Sequence, residues 1–283
     1  MARRPNLPAR WRVSRVMDTT LLDTKFSRIG ARLKFADVPA RRRDAAAVVL
    51  DVRADRKGEF FEIARRPGTD AAVDILDVQP GERHLLLLVR EGADKSKFLC
   101  GHDERHWFVA GIPEAAAVGT VRQAKEALKP AEVRAAQARE RLRAPARGRR
   151  KNAAYVRQGE WFFLPAPDLV VDPKLVLTNE PITRGNGGKP HRVEFCYRAG
   201  GELVYVCARY STGVTEDRYK AILGGNPKAR TWGWRPMRRN AGVFARGRVR
   251  HADHATITLH GWHRVLMNTE NQSRAMRNVA FLD

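Results

Sequence analysis

The side chains best suited to chemistry gather in one stretch, FARGRVRHADHATITLHGWHRVLMN at 244–268, which holds four of the eight histidines: His251, His254, His260 and His263. His251-Ala252-Asp253-His254 puts two imidazoles three positions apart in a turn. Neutral imidazole nitrogens ligate divalent metals, and Asp253 would serve as a third ligand or orient a ring. His191 in GKPHRVEF, or His260 or His263, would complete such a site. Three readings follow: a zinc-class centre on His191, His251 and His254, acid-base chemistry without a metal, or histidines that hydrogen-bond a tight turn. Paired cysteines and a helical HExxH are both absent, so the strong zinc spacings are excluded.

Beside the histidines stands a cationic stripe. Arg246, Arg248 and Arg250, with Phe244, alternate with Val243, Ala245, Gly247 and Val249, so an extended strand places the arginines on one face. TWGWRPMRRN at 231–240 interleaves Trp232 and Trp234 with Arg235, Arg238 and Arg239. Bases stack on such rings while phosphates meet the cations. Together the six arginines are expected to surround one hairpin, and three phosphate contacts would make affinity fall with salt at a log-log slope near −2 to −3. Arg147, Arg149, Arg150 and Lys151 form a further cationic run in chain expected to be flexible. Arg184-Gly-Asn-Gly-Gly-Lys189 is a glycine-rich loop suited to a phosphate backbone, but it lacks the P-loop spacing.

Across the 283 residues, 53 lysines and arginines face 31 acidic residues, a formal charge of +22. Such an excess repels itself in the compact state, which points to an acidic partner. Nucleic acid is the expected partner, RNA ahead of single-stranded DNA, in a nucleoprotein complex; the alternative function is a metal-assisted hydrolase or nuclease. No cofactor is expected on the first reading and a divalent metal such as zinc on the second.

A second cluster, Cys100-Gly-His102-Asp-Glu-Arg-His106, admits a thiolate or metal reading. Cys100, Cys196 and Cys207 form no disulfide framework, so a reducing, cytoplasmic compartment is expected. A hairpin turning at Gly200-Gly201 would set Cys196 opposite Tyr205 and Cys207 opposite Glu194, leaving the thiols unbonded. No apolar run approaches the roughly 20 residues that span a bilayer, and no membrane partner is expected. The start carries charge without a hydrophobic core region, so it reads as a basic arm rather than a secretory signal, and Met17 offers a second start.

The elements that must position these residues are mostly strands. Runs at 47–52, 59–63, 73–78, 84–89, 98–100 and 106–109 follow a helix near 19–29, and runs at 161–164, 175–177, 191–197, 203–208, 242–250, 256–259 and 263–267 come later. A helix over about 215–223 is capped by Thr215 and stops at Gly224-Gly225. Between lie two polar helices, about 120–128 and 131–143, divided at Pro130. The expected architecture is mostly β, α+β overall: two barrel- or sandwich-like domains, 1–118 and 156–283, joined by a basic helical linker at 119–155. HWFVAGIP at 106–113 and EWFFLPAP at 160–167 raise the idea of a duplicated β unit.

RQGEWFFLP (157–165), NEPITRGNGGKPHR (179–192) and GRVRHADHATITLHGWHRVLMN (247–268), taken in that order, resemble an uncharacterised family of small bacterial and phage β-rich proteins. Their pattern runs RQGD, an apolar strand and proline, a Gly-His-rich turn, H-x-x-H, a short strand and a final R-V strand. The resemblance implies a compact β fold around His191, His251 and His254, with most of 198–240 as an insertion, and it implies no activity. GNGGKPHR keeps only His191 where the pattern carries two histidines, which weakens the metal reading.

Overall fold

The computed structural model describes residues 17–38, 46–183 and 189–272. The basic arm at 1–16 and most of the glycine-rich loop, 184–188, lie outside them. Within the described residues the protein is mostly β, with a few short helices. It divides into two compact units. Unit 1 comprises the chain to Pro130 and again from Asn268, and unit 2 runs from Ala131 to Met267.

Unit 1 opens with α1 (Thr19–Arg28), whose Asp18 carboxylate accepts the Leu21 N–H as an N-cap. Leu22 and Phe26 on its inner face are buried. β1 (Leu33–Asp37) runs parallel to β3 (Gly58–Arg65), and β2 (Val48–Asp55) runs antiparallel to β3 on its other side. β4 (Ala71–Gln79), β5 (His84–Glu91), β6 (Asp94–Asp103) and β7 (His106–Gly111) form an antiparallel meander. β5 is an unbroken aliphatic run because both faces are covered. Leu85 and Leu87 join Phe26, Phe61 and Trp107 on one face, while Leu86 joins Leu99 and Val121 on the other. Val121 belongs to α2 (Val121–Ala127), which starts in a capping box between Thr120 and Gln123.

The division into units falls inside the stretch read as a linker. α2 packs Val121 and Ala124 into unit 1, whereas α3 (Ala131–Arg139) packs Val133 and Ala136 against Tyr155 and Phe162 of unit 2. The 119–155 stretch is therefore not a free connector. A short helix, α4 (Ala144–Arg147), leads into the 147–151 run that was expected to be flexible and includes its first residue. The Arg147 carbonyl accepts from the Tyr155 hydroxyl at 2.8 Å and from the Gln137 amide at 2.9 Å, which ties down the start of the cationic run.

Unit 2 holds β8 (Val156–Gln158), β9 (Trp161–Pro165), β10 (Leu177–Ile182), β11 (His191–Ala199), β12 (Glu202–Cys207), β13 (Tyr210–Thr215), α5 (Glu216–Gly225), β14 (Arg235–Arg239), β15 (Gly242–Arg250) and β16 (Ile257–Met267). Six of these strands form one antiparallel sheet in the order β10-β11-β15-β16-β9-β8. Trp161, Phe163, Val193, Cys196, Ala245, Val249 and Val265 bury its inner face. β13-β12-β14 make a separate three-stranded sheet, and Thr215 caps α5 as the sequence indicated.

Several expectations need correction. β11 does not fold back on β12; it pairs with β10 and β15, and Ala199 faces Gly242 directly. Residues 200–241 therefore stand where a hairpin loop would be. Gly200 and Gly201, at φ +64° and +79°, turn the chain out of one sheet and into another, and a Cβ at Gly201 would meet the Arg239 carbonyl at 2.7 Å. Cys196 and Cys207 thus belong to different sheets, and all three cysteines are free and buried. The two strands expected at 256–259 and 263–267 are one strand, β16, interrupted by a shift of register against Ala245 and Gly247. Residues 173–175 form a helical turn, and β10 begins only at Leu177. β7 is a sheet edge while β9 lies between β16 and β8, so the two aromatic strands occupy different places in their sheets. No described helix is long and apolar enough to cross a membrane.

Candidate metal centre and cationic face

Three segments meet at one end of the six-stranded sheet. His191 opens β11, His251 and His254 lie in the loop joining β15 to β16, and Gly159 sits in the turn between β8 and β9. The three imidazoles are stacked, with ring centroids 4.1 Å apart for His191–His251, 4.7 Å for His251–His254 and 5.5 Å for His191–His254. One nitrogen from each ring lies within 4.8 Å of the others. Zn–N bonds of about 2.0–2.1 Å bring tetrahedral donors to roughly 3.3–3.4 Å of one another, within reach of side-chain rotation from this spacing.

The local sequence explains the assembly. Gln158 is fully buried, and its amide donates to the Val249 carbonyl at 3.3 Å and the Ala255 carbonyl at 2.6 Å, holding both ends of the histidine loop. Gly159 has φ +56°, and a Cβ there would lie 2.8 Å from His254 Nε2 and 3.3 Å from His191 Nε2. The glycine keeps open the space onto which both nitrogens face. Neither residue was singled out from the sequence alone. The signal that could have found them is the RQG at 157–159, since all three segments quoted for the family resemblance converge here.

Electrostatics favours ligation. Burial, reinforced by the neighbouring His251 and His254, pushes the His191 pKa down to about 3, so the ring is neutral at physiological pH. His191 is only 2% exposed, and neither of its nitrogens has a hydrogen-bond partner among the described residues; the same holds for Gln158 Oε1 and Trp161 Nε1. Buried polar atoms without partners cost free energy, and several of them are concentrated here. His251 Nε2 donates to the Lys189 carbonyl at 3.1 Å, which leaves Nδ1 as its lone-pair nitrogen, now accepting the Asp253 N–H at 3.1 Å. A backbone carbonyl orienting the far side of a ring is the usual support of a metal-bound histidine, and ligation through Nδ1 would exchange the Asp253 N–H bond for the metal.

Asp253 is not among the converging donors; its carboxylate pairs with Lys189 Nζ at 3.1 Å. His260 is exposed and the buried His263 bonds the Gly261 carbonyl, so neither joins the triad. Among the described residues the group therefore has three donors, all nitrogen. That set would suit a zinc-class ion.

The arginines take up two sheets rather than one hairpin. On β15, Arg246, Arg248 and Arg250 are exposed while Ala245 and Val249 are buried, as the alternation required. Gly247, at φ +81°, makes a bulge where Arg248 donates from its backbone N–H (2.8 Å) and Nε (3.2 Å) to Glu194. Arg246 lies over the Phe195 and Trp262 rings. On β14, Arg235 is exposed, Arg238 reaches the Gly200 and Gly201 carbonyls, and Arg239 pairs with Glu202 at 2.6 Å. Arg149, Arg150 and Lys151 are exposed, and Arg147 is half-buried.

Trp232 and Trp234 are half-buried and face each other and Tyr210, while Tyr219 meets Trp234 edge-on and stacks on Tyr205. Few aliphatic side chains are buried in the 200–241 module, Val204 and Ala229 among them, so these rings serve as its core rather than as an open stacking platform. The second histidine cluster is likewise structural. Cys100 is buried completely, which raises its thiol pKa far above the thiolate range, His102 packs edge-on against Trp107, and His106 bonds Glu59.

Charge is concentrated in unit 2, where residues 131–267 carry 26 lysines and arginines against 11 acidic residues. Comparison with family models, curated proteins and solved structures returns no match.

Proposed function

We propose that unit 2 is a metal-dependent domain that works on nucleic acid, with His191, His251 and His254 holding a zinc-class divalent ion and the cationic surface binding phosphates. The observation that carries this reading is the set of three converging imidazoles around the space that Gly159 leaves open. Structural zinc sites are closed by four protein ligands, whereas three-donor sites keep a position for water or substrate. An ion bound there supplies Lewis acidity to a water or a phosphoryl oxygen, the chemistry of metal-assisted phosphodiester hydrolysis. The protein's own contribution is to keep His191 neutral by burial, hold the histidine loop through Gln158, orient His251 through the Lys189 carbonyl, and attract the polyanion through the charge of unit 2.

The test is metal analysis of protein purified without chelators or added nuclease, followed by cleavage assays on end-labelled single-stranded RNA and DNA. About one zinc-class ion per chain, and cleavage lost on chelation and in His254→Ala, are expected. Protein that takes up no metal when zinc is supplied refutes the centre.

The charge of unit 2 is independent of the histidines and favours a second reading, a non-catalytic nucleic-acid-binding component of a ribonucleoprotein. Salt-sensitive binding with no cleavage by metal-loaded protein would select it.

A further inference from the structure

The outer face of the six-stranded sheet carries an arrangement that neither the histidines nor the fold explains. Arg192 of β11 and Arg250 of β15 are direct cross-strand partners. Both are exposed, so their side chains leave the same face of the sheet. Like charges directly opposed across a ladder destabilise it. No acid among the described residues forms an ion pair with either one. Glu194, two residues along β11, is engaged by the backbone N–H and Nε of Arg248.

Both guanidinium groups instead converge on one residue, Asn179 of β10. Arg192 Nη1 donates to the Asn179 carbonyl at 3.2 Å, and Arg250 Nη2 donates to its side-chain oxygen at 3.1 Å. Asn179 has φ +54°, a left-handed conformation that asparagine adopts more readily than most residues, and in it one residue serves both arginines. Asn179 is neutral, so it orients the pair without cancelling its charge. Each guanidinium has five N–H donors, and these bonds occupy one on each.

We infer that Arg192, Arg250 and Asn179 form a phosphate clamp that takes the backbone of single-stranded nucleic acid. Two oriented guanidinium groups side by side, neither bonded to a carboxylate and with Glu194 acting on Arg250 only at longer range, match the oxygens of a phosphodiester through forked hydrogen bonds. Arg248, two residues from Arg250 and exposed on the same face, continues the track at the roughly 6.6–7 Å spacing of alternate strand residues. Arg192 follows His191 in the chain and Arg250 precedes His251, so the clamp lies on the face of the sheet opposite the buried His191, at the end where the histidine loop sits. The inference rests on the reading that the partner is nucleic acid, and it does not depend on metal binding.

The experiment is fluorescence anisotropy of a labelled oligo(U) and an oligo(dT) against the full-length protein across a salt series. The wild type is compared with Arg192→Gln/Arg250→Gln, with Asn179→Ala, and with Arg198→Gln, whose partner is Glu180. Loss of the one single-strand phosphate contact that the clamp makes reduces the log-log salt slope by about 0.7, which corresponds to roughly 5-fold weaker binding at 0.1 M salt. Asn179→Ala gives a smaller loss, and Arg198→Gln leaves the slope unchanged. A double variant that keeps the wild-type melting temperature, affinity and slope overturns the clamp while leaving nucleic-acid binding in place. Wild-type protein that binds neither oligonucleotide at low salt overturns the underlying reading, and the clamp with it.

Discussion

Gly159 and His254 stand so close that a Cβ on the glycine would lie 2.8 Å from His254 Nε2, although 95 residues of chain separate them. Gly159→Ala therefore acts on the space between the ligands as well as on the backbone. Zinc binding, read by chelator competition, is expected to be lost. Gly261, at φ +82° with nothing within 4 Å of its would-be Cβ, is the control, since Gly261→Ala carries the same left-handed strain of about 1–2 kcal/mol but leaves the ligands alone. Equal zinc affinity in both variants would contradict the assignment of the site.

Gln158 is the strut of the histidine loop. Gln158→Leu removes the amide that bonds the buried Val249 carbonyl and the Ala255 carbonyl, at a cost of about 1–3 kcal/mol. A lower melting temperature and about 10–100-fold weaker zinc binding are expected. The salt slope for oligonucleotides should stay at the wild-type value, because the phosphate contacts lie elsewhere.

Unit 1 has its own pH response. His84 is buried beside the Lys125 ammonium, and burial first, then that charge, depresses its pKa from 6.5 to about 4. The unfolded chain binds a proton below about pH 6.5 that the folded chain refuses until about pH 4, so stability falls as pH drops through that window, by at most about 1.4 kcal/mol per pH unit. Denaturant titrations at pH 7 and pH 4.5 should show a smaller difference in His84→Gln than in the wild type. An identical pH dependence would contradict the burial argument.

The 200–241 module should be removable. Ala199 and Gly242 are direct partners, so an Asn-Gly turn joining them completes a β11–β15 hairpin. The shortened protein is expected to keep its β-sheet circular dichroism and its zinc stoichiometry. Loss of zinc binding on excision would show that the module supports the centre.

Much of the local structure was legible in the chain. Alternation at 243–250 located the outward arginines of β15, Thr215 marked the start of α5, and the run at 84–89 marked the strand β5. Each of these rests on side-chain period or backbone capping, which neighbouring residues determine by themselves. The histidine spacing also announced a cluster, and His191, His251 and His254 do meet.

Partnership across the chain was a different matter. The glycine pair at 200–201 looks locally like a hairpin turn, yet β11 finds β15 and β12 finds β13 and β14. The tryptophans at 232 and 234 carry the composition of a stacking platform, but with few aliphatic side chains in their module they pack on each other, on Tyr210 and, through Trp234, on Tyr219. Gln158 and Gly159, marked in the chain only by the RQG at 157–159, gain their role when the fold brings them to the histidines, and Arg192 gains its meaning only from facing Arg250. The sequence by itself determined charge, periodicity and which residue types were available for chemistry, because these are local properties. Only the tertiary structure decided which strands pair and which side chains share a site, because those contacts depend on the joint burial of segments as far apart as Gln158 and Ala255, 97 positions along the chain.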